Sequence, residues 1–329
     1  MNLVKTPLRI SYVGGGTDYP SFFSQNEGCG VIAAAIDQYV YVYSHQLSPI
    51  ANENIRFTYR ETESVKSISE LKHPVMREML RFCNWERRAN FGTFSDLPSG
   101  VGLGGSSSFA VGLAHLIMLS NSTHIDPQKL AELAVYIERV KLMEAGGVQD
   151  QYVAAFGGFR KFEFKPGMVK VSEHLANSDY INYLERRQML IWLEETRFSG
   201  IHAAVTETAI RNSNSYLKET IDLFQDASKV FEVAYSSSQI FEKIRNAVKV
   251  GWSYKKKFTG ELSENAERID LVLSGFSDIG YKLCGAGGSG FMLVLGEPDV
   301  LERIKTSLVG DIFIHPKISV KGSTLHIPN

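Results

Sequence analysis

The sequence predicts a two-domain chain of mixed strands and helices, with a cleft between the domains. Three observations carry that expectation. A length of 329 residues exceeds what one hydrophobic core ordinarily supports. The start is rich in strand-forming residues, whereas the stretch from about 201 to 279 is mainly helical and polar-faced. Two glycine-rich loops, one near residue 100 and one near residue 287, each adjoin a regular element.

Residues 3–13 read as a strand ending at Gly14-Gly15-Gly16, and Gly30 to Ser44, with many Val, Ile and Tyr, as one or two more. Residues 74–85 show helical spacing after Pro74, with Met76, Met79, Leu80 and Phe82 apolar, and 91–95 form another strand. Helices follow over 106–120 and 127–144, the second entered through Asp126 as N-cap and Pro127 at the first helical position. A hairpin turning at Pro166-Gly167 joins 159–164 to 169–171, and Gln188 to Leu193 begins a new strand. The domain boundary falls between these two features, giving domains 1–180 and 181–329. A helix near 297–308 and a strand near 311–315 complete a small α/β sandwich, and no internal repeat is visible.

Composition narrows the partners. Lys plus Arg (35) balance Asp plus Glu (36), so no global field attracts nucleic acid or an anionic membrane, and any phosphate recognition must be local. Three scattered cysteines, Cys29, Cys83 and Cys284, argue against a disulfide framework or a zinc cluster. Neither a signal peptide nor a run of about 20 apolar residues is present. The expectation is a cytoplasmic protein acting on small molecules.

The most informative segment is LPSGVGLGGSSSFAVGLAHLIML, residues 97–119, where a glycine loop runs into an apolar helix. Glycines let backbone N–H groups converge on phosphate oxygens, and the helix N-terminus adds partial positive charge. Gly100, Gly102, Leu103, Gly104 and Gly105 supply that backbone, while Ser106, Ser107 and Ser108 add hydroxyls that cap the helix or reach a phosphate-bound Mg²⁺. The loop is not a Walker A sequence, which needs G-x-x-x-x-G-K-S/T. Downstream, in YIERVKLMEAGGVQDQYVAAFGG (136–158), Glu138 lies on a helix and Asp150 follows twelve residues later, past Gly146-Gly147. Taken singly, Glu138 fits a solvated helix face and Asp150 a helix cap.

The loop at 97–119 resembles the P-x-x-x-G-L-x-S-S signature of the GHMP kinase superfamily. Its N-terminal motif is matched by TPLRISYVGGGTDYPSFF (6–23) and its C-terminal glycine motif by KLCGAGGSGFMLVL (282–295), in family order and separation. The resemblance implies an α+β two-domain fold: an N-terminal domain with a left-handed βαβ crossover, an exception to the usual hand, and a C-terminal ferredoxin-like domain. It implies ATP held by the amides around 102–108, Mg²⁺ met by Ser106 or Ser107 with Glu138, and Asp150 taking the proton of the attacking hydroxyl. Arg9 would support Asp150 and the transferring phosphoryl, and Asp18, nine residues on, would grip the sugar. Gly15, Gly16, Thr17, Gly147, Gly287 and Gly288 would line the acceptor pocket.

Within the superfamily, Gly15 and Gly16 replace a Glu and a His of galactokinase, which leaves a roomier pocket. The G-G-G-T-D run, GVIAAAIDQYVYV (30–42), and Trp252 with Lys255 and Lys256 are instead similar to the D-glycero-D-manno-heptose 7-phosphate kinases and the kinase domains of fucokinase. That resemblance implies transfer to the anomeric hydroxyl of the heptose 7-phosphate, giving a 1,7-bisphosphate for nucleotide-activated heptose and surface polysaccharide. It also demands a second anion site, for which Arg197, Arg160 and Lys161 are candidates. Three departures stand out: G-L-G-G-S-S-S-F leaves open which serine meets the metal, Ser289 replaces a common glycine, and Gly200 stands where a T-G-x-x-R pattern has Arg. The alternatives are a kinase for a free sugar such as fucose, and a non-catalytic sugar/ATP sensor on the same fold.

Overall fold

The computed structural model describes residues 1–119, 125–194, 208, 214–256, 262–285 and 290–326, with side chains of 214–216 excepted. Strand β1 (Asn2–Val13) pairs antiparallel along the whole of β2 (Gly30–Gln46), and this long hairpin is the spine of an eight-stranded sheet. The register shifts between Pro7 and Leu8 and again between Ser11 and Val13. Proline has no N–H to offer the ladder, so an irregularity beside Pro7 is expected. The opposite edge of β2 is shared: its first half pairs with β6 (Phe159–Lys165) and its second half with β5 (Ala89–Ser95). Beyond β5 lie β3 (Ile55–Thr58), parallel to it, and β4 (Thr62–Val65), while β7 (Met168–Val171) extends β6.

Helices α1 (Pro20–Phe23) and α2 (Pro74–Phe82) precede α3 (Gly105–Met118), whose residues from Ser107 to Ile117 are all buried. A helix apolar on every side belongs inside, and α3 packs on β1 and β2 with α4 (Pro127–Val135) and α5 (Gln149–Phe156) beside it. The Asp126 cap forms, its carboxylate accepting the Gln128 N–H at 2.9 Å. The helix expected over 127–144 does not run through: α4 ends at Val135 and the chain widens into a π-turn over Tyr136–Lys141. Such widening is common at functional sites, and here it carries Glu138.

The second sheet contains β8 (Gln188–Trp192), β9 (Gly280–Leu283), β10 (Phe291–Leu295) and β11 (Phe313–Ile314), in the order β11-β8-β10-β9, all antiparallel. With α7 (Asn214–Lys229), α8 (Ser237–Lys255) and α9 (Glu264–Ser274) between β8 and β9, and α10 (Pro298–Ser307) between β10 and β11, this is the split β-α-β arrangement of ferredoxin-like domains. Position 180, where the sequence reading ends its first domain, lies inside α6 (Ser178–Glu185). The last described strand, β12 (Thr324–His326), returns to the first sheet and pairs with β1. Among the described residues no helix is long and apolar enough to cross a membrane.

One buried contact ties that returning strand to the central helix. Ser323 Oγ lies 2.8 Å from Thr6 Oγ1 and 2.9 Å from His115 Nδ1 on α3. Burial pulls His115 from its ordinary 6.5 down to about 4. The unfolded chain therefore gains a proton on this ring below about pH 6.5 while the native chain resists until about 4, so stability is lost as pH falls through that window. His115→Gln keeps a polar partner for Ser323 without the titration. Between about pH 7 and pH 5 the variant is expected to lose about 2 kcal/mol less stability than the parent in urea unfolding, and equal losses would contradict the assignment.

Candidate active site

Arg9, nearly fully buried on β1, donates through Nε and Nη2 to the two carboxylate oxygens of Asp150, each at 2.7 Å, and through Nη1 to the Gly102 carbonyl at 2.6 Å. Its own backbone N–H donates to the Leu103 carbonyl at 3.0 Å. One guanidinium thus joins three distant stretches: β1, the first turn of α5, and the glycine loop. The planar fork of arginine makes this possible, since two parallel bonds to a carboxylate leave a third donor free for a carbonyl. Asp150 gains further from its place at the N-terminal end of α5.

Asp18 reaches the same region from the other side of the Gly14–Gly16 turn. It is buried, and its carboxylate accepts N–H groups from Gly16 (3.0 Å) and Gln149 (3.3 Å), while its carbonyl accepts from Val148 (3.1 Å). Burial pushes the Asp18 carboxyl above its ordinary value and the nearby Asp150 charge adds to this, with the backbone amides opposing. Gly147 lets Asp18 come this close: an added Cβ would stand 1.6 Å from Asp18 Oδ2, so the carboxylate would have to move. The loop bearing it is clamped by Arg139, which donates to the carbonyls of Gly147 (3.1 Å) and Glu144 (3.3 Å).

The glycine loop leads into α3 through Gly104, and no side chain caps the helix there. Its first N–H groups are left for an external acceptor, as an anion-binding N-terminus requires. Glu138 is buried beside this helix end, with Oε1 3.4 Å from Ser106 Oγ and 3.5 Å from Ser107 Oγ, and Oε2 accepting from Gln151 Nε2 at 2.6 Å. Burial raises the Glu138 carboxyl, against the pull of Arg139, Gln151 and Ser107. The second glycine loop abuts the first: a Cβ on Gly102 would lie 2.7 Å from the Cys284 carbonyl oxygen, and one on Gly285 would lie 2.6 Å from Gly102 Cα.

The glycine loop, Glu138 and Asp150 all fall within residues 71–158, which match the family model described as the GHMP kinases N terminal domain. That segment is a GHMP kinase N-terminal domain. The whole chain has the GHMP kinase fold: it superposes with TM-score 0.77 on a D-glycero-D-manno-heptose 1-phosphate kinase from Bacteroides thetaiotaomicron, 22% identical, covering 100% of both chains. A galactokinase from Lactococcus lactis in complex with galactose gives TM-score 0.72 at 15% identity, covering 98% of this chain and 94% of that one. In sequence the chain is 28% identical over 306 residues to a D-glycero-alpha-D-manno-heptose 7-phosphate kinase of Campylobacter jejuni, covering 89% of each.

The GHMP kinase motifs read from sequence converge in space for Arg9, Asp18, Gly102, Gly104, Ser106, Ser107, Glu138, Gly147 and Asp150. Gly100 and Gly105 belong to the same loop and helix start, and Gly15 opens onto unfilled space. Other residues turn inward: Thr17 Oγ1 donates to the Gly30 carbonyl (3.1 Å), Ser108 Oγ to the Pro7 carbonyl (2.8 Å), and Leu103 is fully buried. Arg160 is committed to the carbonyls of Gly157 and Ser172, and Lys161 pairs with Glu163. Arg197, Gly287 and Gly288 lie outside the described residues. Sequence reasoning missed Arg139 and Gln151, although each sits next to, or one residue from, a residue it had chosen.

Gly147→Ala tests the close approach to Asp18. The added methyl should cost about 1–3 kcal/mol by overpacking and displace the Asp18 carboxylate from the Gln149 amide. Unchanged denaturant stability together with an unmoved Asp18 in a crystal structure of the variant would contradict the geometry.

Proposed function

We propose that this chain is an ATP-dependent sugar kinase that phosphorylates the anomeric hydroxyl of D-glycero-D-manno-heptose 7-phosphate, giving the 1,7-bisphosphate used for nucleotide-activated heptose and surface polysaccharide. The observation that carries the reading is the Asp150 carboxylate fixed by Arg9, which is itself bonded to the glycine loop leading into an uncapped helix N-terminus. The 28% identity to a heptose 7-phosphate kinase over 89% of both chains supports the acceptor class.

The residues divide the work by chemistry. Amides from Gly102 to the first turn of α3 bind the nucleotide phosphates. Asp150 accepts the proton of the sugar hydroxyl as its oxygen bonds to the terminal phosphorus; the bond to the ADP oxygen breaks and the proton passes later to solvent. Arg9 holds Asp150 in one orientation and places positive charge beside the moving phosphoryl. Asp18 accepts sugar hydroxyls. Glu138 with Ser106 and Ser107 fits Mg²⁺, because both hydroxyls stand beyond the roughly 2.7–2.8 Å of a close O–H···O bond, so Oε1 keeps acceptor capacity within an all-oxygen donor set. When bound, the ion would offset charge on the phosphate oxygens.

A kinase for an unphosphorylated sugar such as fucose is the second reading, favoured by the commitment of Arg160 to the carbonyls of Gly157 and Ser172 and of Lys161 to Glu163 and Glu232. A comparison of turnover on the heptose 7-phosphate and on unphosphorylated sugars decides between them. In either case Asp150→Asn, nearly isosteric, should keep the fold and ATP binding and lose turnover by about two or more orders of magnitude. Near-parental turnover in that variant would remove Asp150 from the mechanism.

A further inference from the structure

Gln151 follows Asp150 in the first turn of α5 and is fully buried although polar. Its Nε2 donates to Glu138 Oε2 at 2.6 Å, and its Oε1 is buried with no hydrogen-bond partner among the described residues. An unpaired carbonyl in the interior is destabilising, and a leucine or methionine would fill the same space without that penalty. Packing does not account for an amide here, whereas the bond to Glu138 does.

Glu138 divides its two oxygens. Gln151 takes Oε2, while Oε1 lies 3.4 Å from Ser106 Oγ and 3.5 Å from Ser107 Oγ at the start of α3. The last torsion of a glutamate is soft, so its carboxylate turns unless one oxygen is anchored, and the Gln151 amide supplies that anchor. The chemistry of the anchor matters as much as its place. A lysine or arginine could hold Oε2 but would offset the negative charge that attracts a metal cation; a neutral amide leaves it in place. Arg139, the cation beside Glu138 in sequence, donates instead to the carbonyls of Gly147 and Glu144. On α5, Asp150 meets Arg9 and the next residue meets Glu138, so one helical turn sets both carboxylates of the proposed chemistry.

We propose that Gln151 is a positioning residue for the metal site: it fixes Glu138 with Oε1 toward Ser106 and Ser107 and leaves the carboxylate charge undiminished for a divalent cation. The proposal rests on the sugar-kinase reading, which gives Glu138 to Mg²⁺. Partners that orient a metal ligand in this way typically carry about 10- to 100-fold of metal affinity.

The test uses Mn²⁺ as the probe, titrated onto the full chain with ADP and followed by water-proton relaxation, which is enhanced when the ion is bound to protein. ADP binding without metal is measured in parallel by calorimetry in EDTA. Gln151→Met, similar in volume, should weaken Mn²⁺ binding about tenfold or more, while metal-free ADP, held by backbone amides, binds within about threefold of the parent. Glu138→Gln should weaken Mn²⁺ at least as much, and adding Gln151→Met to it should change the affinity by no more than about threefold, because the anchor then has no charged ligand to orient. An amide with a merely structural role would weaken ADP and Mn²⁺ alike, or add its loss to that of Glu138→Gln, and either result overturns the proposal. Should Gln151→Met fail to fold, Gln151→Asn, which draws the amide back by one methylene, takes its place with the same expectation. Parental Mn²⁺ affinity in a folded Gln151 variant, with a loss in Glu138→Gln, overturns the proposal and leaves the kinase reading standing. Mn²⁺ affinity untouched by Glu138→Gln removes Glu138 from the metal and overturns this proposal together with that part of the kinase reading.

Discussion

The site depends on a single buried guanidinium. Arg9 leaves β1, closes a two-point contact with Asp150 and spends its remaining reach on the Gly102 carbonyl. The buried Arg9 guanidinium is favourable there only with acceptors around it, because a buried charge left without partners is costly. The pair therefore fixes how α5 and the glycine loop sit against the first strand. A carboxylate held at both oxygens by a planar donor has one orientation, as the proton acceptor proposed above would need.

Around this pair, local backbone features bring functional groups together over short stretches of chain. Asp18 meets the 147–150 stretch through backbone amides rather than side chains, which requires the absence of a Cβ at Gly147. Arg139 holds that loop down from the π-turn while its neighbour Glu138 points the other way, toward Ser106 and Ser107. Adjacent residues of one widened turn thus hold two neighbouring segments, the start of α3 and the 144–147 loop. Cys284 and Gly285 pack their backbone directly on Gly102, a closeness that a Cβ on Gly102 or on Gly285 would break.

Much of this was legible in the sequence. The strands flanking the first glycine turn, the Asp126-Pro127 helix start and the Gly-loop-to-helix transition all have local chemical causes, and each formed where the residues demanded. The α+β class with a ferredoxin-like second sheet followed from resemblance and agrees with the strand order β11-β8-β10-β9. The break at Val135 was not legible, because residues 136–141 keep helical spacing and no glycine or proline marks the widened turn. Nor was the return of β12 to β1, a pairing across the whole chain length that no local signal announces. Arg160 and Lys161 were chosen for charge alone, and their neighbours on the hairpin claim them. Lys255 and Lys282 were quoted only as parts of motifs, since nothing in spacing shows that Lys255 meets the Leu283 carbonyl and Lys282 the Tyr12 carbonyl.

The most direct test of the account is a double-mutant cycle on kcat/KM with Arg9→Met, Asp150→Asn and the combined variant. If the two side chains act as one unit, the double variant should be no slower than the worse single variant, to within about threefold. Losses that simply multiply would show that Arg9 and Asp150 contribute independently and contradict the account.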